Sequence, residues 1–327
     1  MIDNAPSWWG ALAFWRFSPA VDLVLVLVTV AYLLLARRPG ADGSRWPPLR
    51  TTAWLGAVVV LVVALDGPVA VFADVLFWVH MVQHLLLIMV VPVLLVWAQP
   101  WRLVHDAGGA RARSVVDRVV GSRAARWGTA PLCGLGLYAA VVILTHLTGF
   151  QQVSVTDPAV RAAELALYLV SGYLLFLPLA GAELVPWSPP HLARFALLAL
   201  SMGVDTLTGV VLMLTPRPLA PAYAAAHPGW GPTALADQEA AGAIMWFGGD
   251  VLMLVLMVAV ALRWGTSQGQ EQGLGRWIEG VRHRTLLGAD AVPADGASGD
   301  VDADERALQA YNAALAALHT RDEEHRS

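Results

Sequence analysis

Seven long apolar runs constrain the fold of this chain more than any other feature of its sequence. A helix needs about 20 apolar residues to cross the roughly 30 Å hydrocarbon core of a bilayer. Lipid offers no partners to backbone N–H and C=O groups, so such runs must be helical unless strands close into a barrel. Because the alternating pattern of barrel strands is absent, we predict an all-α integral membrane protein, a bundle of seven transmembrane helices. The runs lie near residues 20–36, 52–65, 78–98, 129–147, 162–180, 194–214 and 241–262.

The composition and the breaks between the runs define the predicted domains. Only 14% of the residues are charged, against roughly a quarter in soluble domains, which excludes a soluble globular fold. The second run reaches residue 72 if Asp66-Gly67-Pro68 does not end it. We predict a seven-helix membrane domain over residues 1–265. Residues 266–327 are predicted to be a polar cytoplasmic tail, with a short helix near residues 304–320.

Arginine, which supplies all the basic charge besides histidine, is distributed unevenly between the loops. The loops after the first and third runs and the segment after the seventh are rich in arginine, whereas the loop between the second and third runs has none. Cytoplasmic loops carry the excess of basic residues in membrane proteins. This pattern predicts an N-terminus outside the cell and a C-terminus in the cytoplasm. Arg161 lies at the edge of the fifth run, next to a loop that is otherwise poor in arginine.

This orientation places the polar residues of the spans in a shared layer near the outer face. His80 and His84 are four residues apart, so both imidazoles project from one helix face and can clamp one metal ion. Imidazole and thioether groups without thiolate suit copper better than calcium or magnesium, and zinc stays open. The candidate metal-binding residues are His80, Met81, His84, His146, Glu164, Asp205, Asp237 and Met245.

Each candidate also has a purely structural interpretation. A histidine pair at this spacing often packs or hydrogen-bonds within a bundle, and Met245 resembles an ordinary core residue. Asp237 can cap the helix that follows it. Ionisable groups in lipid are costly, however, so their convergence on one layer favours a functional site. The other histidines, expected to be solvated, are His105, His191, His227, His283, His319 and His325.

The motifs that the sequence lacks argue against an enzyme. There is no Gly-x-Ser-x-Gly elbow and no glycine-rich phosphate loop. The single cysteine, Cys133, cannot form a paired-thiol centre. A haem held between His84 and His146 is not expected, because the sequence supplies only one convincing histidine pair. The net charge of −4 gives no indication of a nucleic-acid partner.

Three runs resemble, in order, the motifs of the CtaG-type cytochrome c oxidase assembly factors, and a fourth resembles the end of actinobacterial members. The runs are Phe77-Trp78-Val79-His80-Met81-Val82-Gln83-His84-Leu85-Leu86-Leu87, Thr145-His146-Leu147-Thr148-Gly149-Phe150, Asp237-Gln238-Glu239-Ala240-Ala241-Gly242-Ala243-Ile244-Met245-Trp246 and Ala310-Tyr311-Asn312-Ala313-Ala314-Leu315. The resemblance implies a multi-pass protein of a bacterial, actinobacterial, plasma membrane. It also implies help in assembling a haem–copper oxidase, by passing copper as Cu(I) to it.

The resemblance carries over specific residues and partners. The implied partners are cytochrome c oxidase subunits and an extracytoplasmic copper chaperone, beside the lipid bilayer. The chain departs from the family at Leu165 and Asp205, where the family usually has histidines. Two other functions stay open: a transporter with Asp205 and Glu164 as a proton relay, and a metal-free scaffold of the respiratory complex. The implied copper-binding positions are His80, His84, His146, Asp237 and Met245.

Overall fold

The computed structural model of the protein describes residues 7–40, 43–181, 183–227 and 229–262. Within these ranges the secondary structure is helical and there is no strand, which confirms the predicted all-α fold. The described residues up to Val260 belong to one compact unit. The predicted tail over residues 266–327 and its helix near residues 304–320 lie outside the described residues.

The helices follow one another with short connections, and two of them contain a stretch of wider π-helix. The first half of the described chain forms α1 (Trp8–Ala11), α2 (Pro19–Ala36), α3 (Pro48–Leu65), α4 (Pro68–Ala73), α5 (Phe77–Leu85), π1 (Leu86–Val90), α6 (Val91–Ala98), α7 (Pro100–Ala107), α8 (Gly109–Val120) and α9 (Arg123–Gly128). The second half forms α10 (Pro131–His146), α11 (Phe150–Thr156), α12 (Pro158–Ala180), α13 (His191–Leu214), α14 (Ala222–Ala226), α15 (Ala234–Ala243) and π2 (Ile244–Gly248).

Six helical segments of the described chain are long and apolar enough to cross a membrane. A seventh is obtained if α10 and α11, which meet at 74°, count as one bent span. The protein is therefore a multi-pass membrane protein, whereas the count of seven spans and the orientation of the termini stay predictions. The six segments are Pro19–Ala36, Pro48–Leu65, Phe77–Ala107, Pro158–Ala180, His191–Leu214 and Ala234–Leu262.

One predicted boundary is confirmed and another is wrong. The second span ends at Leu65, where the run over residues 52–65 ends, and does not extend to residue 72, because the chain breaks at Gly67 and restarts as α4 with Pro68 in its first turn. The last span begins at Ala234, well before residue 241. The Thr233 side chain accepts a hydrogen bond from Ala236 N at 3.2 Å and caps that start. The first turns of this helix contain polar residues, so the apolar run begins later than the helix itself.

The segment Phe77–Ala107 is the centre of the bundle. In its most apolar stretch 72% of the residues are buried, against 6% in Pro19–Ala36, which exposes its apolar side chains. A Cβ atom built on Gly172 would lie 1.8 Å from the Ile88 carbonyl oxygen. Only glycine therefore lets α12 pack directly on π1. This close packing sets α12 against the central segment.

Carboxylates from elsewhere in the chain cap the first turns of two helices of this segment, α5 and α7. Asp237 accepts hydrogen bonds from Phe77 N at 2.8 Å and Trp78 N at 2.9 Å, the first amides of α5. Glu183 accepts from Arg102 N at 2.8 Å and Trp101 N at 3.3 Å, in the first turn of α7. Burial raises the pKa of the Glu183 carboxyl above its ordinary value, although these backbone amides oppose that shift.

Candidate metal centre

Three histidines meet between the start of the central segment and the end of α10. His80 and His84 lie one turn apart on α5, and His146 is the last residue of α10. The ring centroids of His84 and His146 are 4.7 Å apart, and those of His80 and His146 are 6.0 Å apart. None of the three side chains has exposed surface. The structure thus brings together all three histidines that the sequence analysis selected.

A hydrogen bond from a buried arginine determines which ring nitrogen of His80 carries the proton. The Arg161 Nη1 atom lies 2.5 Å from His80 Nδ1, and Arg161 Nη2 donates to Gln83 Oε1 at 2.9 Å. A guanidinium group has only donors, so His80 Nδ1 must accept this hydrogen bond. The proton of the neutral ring is then on Nε2, which faces Glu164 Oε1 at 3.7 Å. Sequence reasoning missed this role of Arg161, although its spacing of three residues from Glu164 on one helix was a usable signal.

Glu164 is saturated with hydrogen-bond donors. Its Oε1 atom accepts from Gln151 Nε2 at 2.5 Å and from the Tyr168 hydroxyl at 2.6 Å. Its Oε2 atom accepts from Ser154 Oγ at 2.5 Å and from Arg161 Nη1 at 3.2 Å. Charge-assisted hydrogen bonds of this kind stabilise a buried carboxylate. Glu164 therefore lies beside the histidines as the counter-ion of Arg161, with no oxygen left without a donor.

His84 and His146 have open ring nitrogens. Neither nitrogen of His84 has a hydrogen-bond partner, although the ring is buried between the rings of His146 and Tyr168. His146 Nδ1 lies 2.9 Å from the Val142 carbonyl oxygen. A carbonyl can only accept, so this nitrogen carries the proton and His146 Nε2 keeps its lone pair. Its partner in the structure is the Tyr168 hydroxyl at 3.5 Å, whose own proton is directed to Glu164.

The two other carboxylates of the candidate set make contacts of their own. Asp205 on α13 is buried and its Oδ2 accepts from the Tyr138 hydroxyl at 2.7 Å, while Oδ1 has no partner among the described residues. Asp237 does not cap its own helix, as the structural interpretation proposed, because Thr233 does so. It caps α5 instead and so fixes the start of the helix that carries His80 and His84.

The two candidate thioethers are buried in the apolar core. Neither Met81 nor Met245 has exposed surface, and both belong to the main hydrophobic cluster of the bundle. Met245 lies in π2. Their surroundings are those of residues that fill space in a core. Outside the cluster, the expectation that His227 is solvated is wrong, since its side chain is buried and its Nδ1 lies 2.5 Å from the Trp230 carbonyl oxygen.

Nowhere in residues 7–40, 43–181, 183–227 and 229–262 do three or more His, Cys, Asp or Glu side chains form a group arranged to hold a metal ion. The hydrogen bonds explain this for the histidine cluster. Arg161 occupies one face of His80, and four donors occupy Glu164. Within the cluster, the ring nitrogens that no strong donor occupies belong to His84 and His146.

Comparison with known proteins shows which family contains this chain. Residues 30–267 match the profile of the cytochrome c oxidase caa3 assembly factors (Caa3_CtaG). The chain belongs to the Caa3_CtaG family. The matched region contains both ends of the central segment, all three clustered histidines and Arg161. No solved structure matches this Caa3_CtaG chain.

The curated relatives that match are mycobacterial. An uncharacterized protein of Mycobacterium leprae is 26% identical over 312 residues, which is 93% of this chain and 44% of the relative. Uncharacterized proteins of Mycobacterium bovis and Mycobacterium tuberculosis are each 26% identical over 325 residues, 97% of this chain and 46% of each relative. The chain thus spans less than half the length of the curated relatives it matches.

Proposed function

We propose that this Caa3_CtaG protein helps to assemble a haem–copper cytochrome c oxidase by holding Cu(I) between His84 and His146 and passing it on. The observation that carries the proposal is the pair of unpartnered, buried nitrogens of His84 beside the lone pair of His146 Nε2. A buried polar group without a partner costs about 1–3 kcal/mol. A neutral imidazole has one lone pair and one N–H, so an ion that accepts the lone pair of His84 would remove the part of this cost that belongs to that nitrogen.

The number and type of the open ligands favour monovalent copper as the cargo. Cu(I) has a filled d shell and accepts two nitrogen ligands in a linear arrangement. Zinc takes four ligands in structural sites and three protein ligands plus water in catalytic ones, and two imidazoles do not meet that need. The ring centroids of His84 and His146 lie 4.7 Å apart, so the two rings would have to turn and separate to direct one nitrogen each at the same ion.

Transfer to a partner requires that the ion be held weakly and near the source of copper. Two ligands hold an ion less firmly than a closed shell of four, which suits a carrier. In the orientation that the arginine-rich loops favour, the cluster would lie near the outer face, where copper from an extracytoplasmic chaperone would enter. The recipient would be a cytochrome c oxidase subunit, and the protein would act without catalysing a reaction.

Copper retention by the purified protein in lipid nanodiscs tests the proposal. The protein is loaded anaerobically with Cu(I), then washed with a Cu(I) chelator, and its copper is measured by mass spectrometry. We expect the wild type and His105→Ala to retain about one copper per chain, and His84→Ala and His146→Ala to retain none. His105 is a suitable control because it lies on α7, outside the cluster. Equal retention by all four proteins would contradict the proposal.

A deletion strain separates copper delivery from the two alternatives. Complementation by His84→Ala should leave oxidase activity low unless copper is added to the medium. Full activity with His84→Ala and unchanged co-purification with the oxidase would indicate a metal-free scaffold. Transport that is lost in Asp205→Asn, with normal oxidase assembly, would indicate a proton-coupled transporter.

A further inference from the structure

Arg161 hydrogen-bonds to the histidine cluster at His80, although the proposed site needs no arginine. We propose that Arg161 determines which metal the cluster accepts, by excluding divalent ions and leaving a site for a monovalent one. This inference rests on the proposed function. It adds a residue that sets specificity without touching the metal, through its hydrogen bonds to His80 and Glu164.

Arg161 first removes His80 from the set of ligands. It donates to His80 Nδ1 at 2.5 Å, which leaves the ring proton on Nε2. A metal ion at Nε2 would need this proton to leave. A shift of the proton to Nδ1 would place two N–H donors against each other at that distance. His80 is therefore closed to metal on both nitrogens while Arg161 stays in place.

Arg161 also keeps Glu164 out of the set of ligands. One oxygen of Glu164 accepts from Arg161 and Ser154, and the other accepts from Gln151 and Tyr168. A carboxylate held by these four donors gains little by turning to a metal ion. Carboxylate and imidazole together are common zinc ligands, so this contact withdraws the combination that would suit zinc.

The positive charge of Arg161 also disfavours the binding of divalent ions. Within the buried cluster its positive charge balances the negative charge of Glu164, and the three histidines add none when neutral. An entering ion therefore brings uncompensated charge into a site without exposed surface. The cost of burying an ion grows with the square of its charge, so a divalent ion costs roughly four times as much as a monovalent ion of equal size.

A second ion pair anchors Arg161 in this position. Arg161 Nε lies 3.4 Å from Asp74 Oδ1, and Asp74 Oδ2 accepts from Arg16 Nη1 at 2.7 Å. Arg161 Nη2 also donates to the Ala73 carbonyl at 3.1 Å. The guanidinium is thus fixed by α12, by the segment after α4 and by the central segment. It cannot leave the cluster through a simple side-chain rotation.

Substitution of Arg161 should convert the cluster into a zinc site. In Arg161→Gln the guanidinium is gone, which frees His80 Nδ1 and leaves Glu164 Oε2 with Ser154 as its donor, so that His80 and Glu164 can join His84 and His146. We expect the affinity of Arg161→Gln for Zn(II) to be at least about tenfold higher than that of the wild type. Changes to metal ligands, or to the groups that support them, typically alter metal affinity by such a factor. Arg161→Lys keeps the positive charge and has donors only, so it should keep the preference for Cu(I).

Zinc and copper titrations of the wild type, Arg161→Gln and Arg161→Lys in nanodiscs test this, together with X-ray absorption spectra that count the ligands. An unchanged Zn(II) affinity in Arg161→Gln would overturn the proposal, and so would a gain of equal size in Arg161→Lys. A wild type that retains no Cu(I) would instead overturn the proposed function. The zinc measurement on Arg161→Gln is independent of that result.

A second variant covers the case in which Arg161→Gln does not fold because Glu164 loses its counter-ion. Arg161→Gln/Glu164→Gln removes both charges and still frees His80. Its Cu(I) spectrum should show three nitrogen ligands, against two in the wild type. Two nitrogen ligands in both proteins would contradict the role assigned to Arg161.

Discussion

Arg161 Nη1 lies 2.5 Å from His80 Nδ1, and the imidazole accepts this hydrogen bond inside a cluster that has no exposed histidine surface. Two histidines one turn apart on α5 are therefore chemically different. His80 is bound to an arginine, whereas the nitrogens of His84 have no protein partner. This difference leads to separate expectations for the two residues.

His80→Ala should destabilise the protein more than it affects copper binding. The substitution removes the acceptor of a buried guanidinium N–H, and a buried donor without a partner costs about 1–3 kcal/mol. Thermal unfolding in nanodiscs should therefore show a lower midpoint, while copper retention stays near that of the wild type. A complete loss of copper with unchanged unfolding would show that His80 is a ligand.

His84→Leu should stabilise the metal-free protein. Leucine fills most of the same space and removes two buried nitrogens that have no partner, which relieves up to about 1–3 kcal/mol. The midpoint of thermal unfolding without copper should rise. Added Cu(I) should raise the midpoint of the wild type and leave that of His84→Leu unchanged. A lower midpoint for the metal-free variant would show that His84 has a stabilising partner.

Asp237→Ala should loosen the start of α5. Loss of a helix-capping side chain costs about 0.5–2 kcal/mol, and the amides of Phe77 and Trp78 would lose their acceptor. Hydrogen exchange of peptides that contain these amides should become faster. Glu239→Ala is the matched control, because Glu239 is an exposed carboxylate two residues away. Equal exchange in the two variants would rule out the proposed cap.

Glu183 should make stability depend on pH. Burial raises the pKa of its carboxyl, so its contribution is fully present below the ordinary glutamate pKa. That contribution is lost as the pH rises through the higher value of the folded state. The unfolding midpoint of the wild type should fall over this window, and the slope should be smaller in Glu183→Gln. Identical slopes would assign the dependence to other groups.

Gly172→Ala should push α12 away from π1. The added Cβ would overlap the Ile88 carbonyl oxygen, and overpacking of this kind costs typically about 1–3 kcal/mol. Both the unfolding midpoint and copper retention should fall, because α12 also carries Arg161 and Glu164. Gly203→Ala is the control, since nothing lies within 4 Å of a Cβ atom at that position. The two variants should differ clearly in stability.

The sequence predicted those features that depend on local pattern. Apolar runs long enough for a bilayer located six membrane-crossing segments. The spacing of His80 and His84 placed both on one helix face, and the run that begins at Thr145 and contains His146 resembled a known motif. Each of these inferences needs only the periodicity of a helix, the thickness of a membrane or a short stretch of consecutive residues.

Features that depend on contacts between distant segments could not be predicted. Arg161 was assigned to a span edge because its partner His80 lies 81 residues away. The function of Asp237 depends on the amides of Phe77 and Trp78, which are 160 and 159 residues away. The sequence also shows no pattern that marks the π-helical stretches Leu86–Val90 and Ile244–Gly248.

The cap of α5 by Asp237 has a consequence for the order of events during synthesis. The helix that carries His80 and His84 emerges from the ribosome long before the residue that fixes its first turn. His146, Arg161 and Glu164 follow in between. A chain that is still being inserted therefore has its histidines in the membrane without the contacts that orient them. The cluster therefore reaches its final arrangement only once the last span is in place, and the capture of copper that we propose would begin after that step.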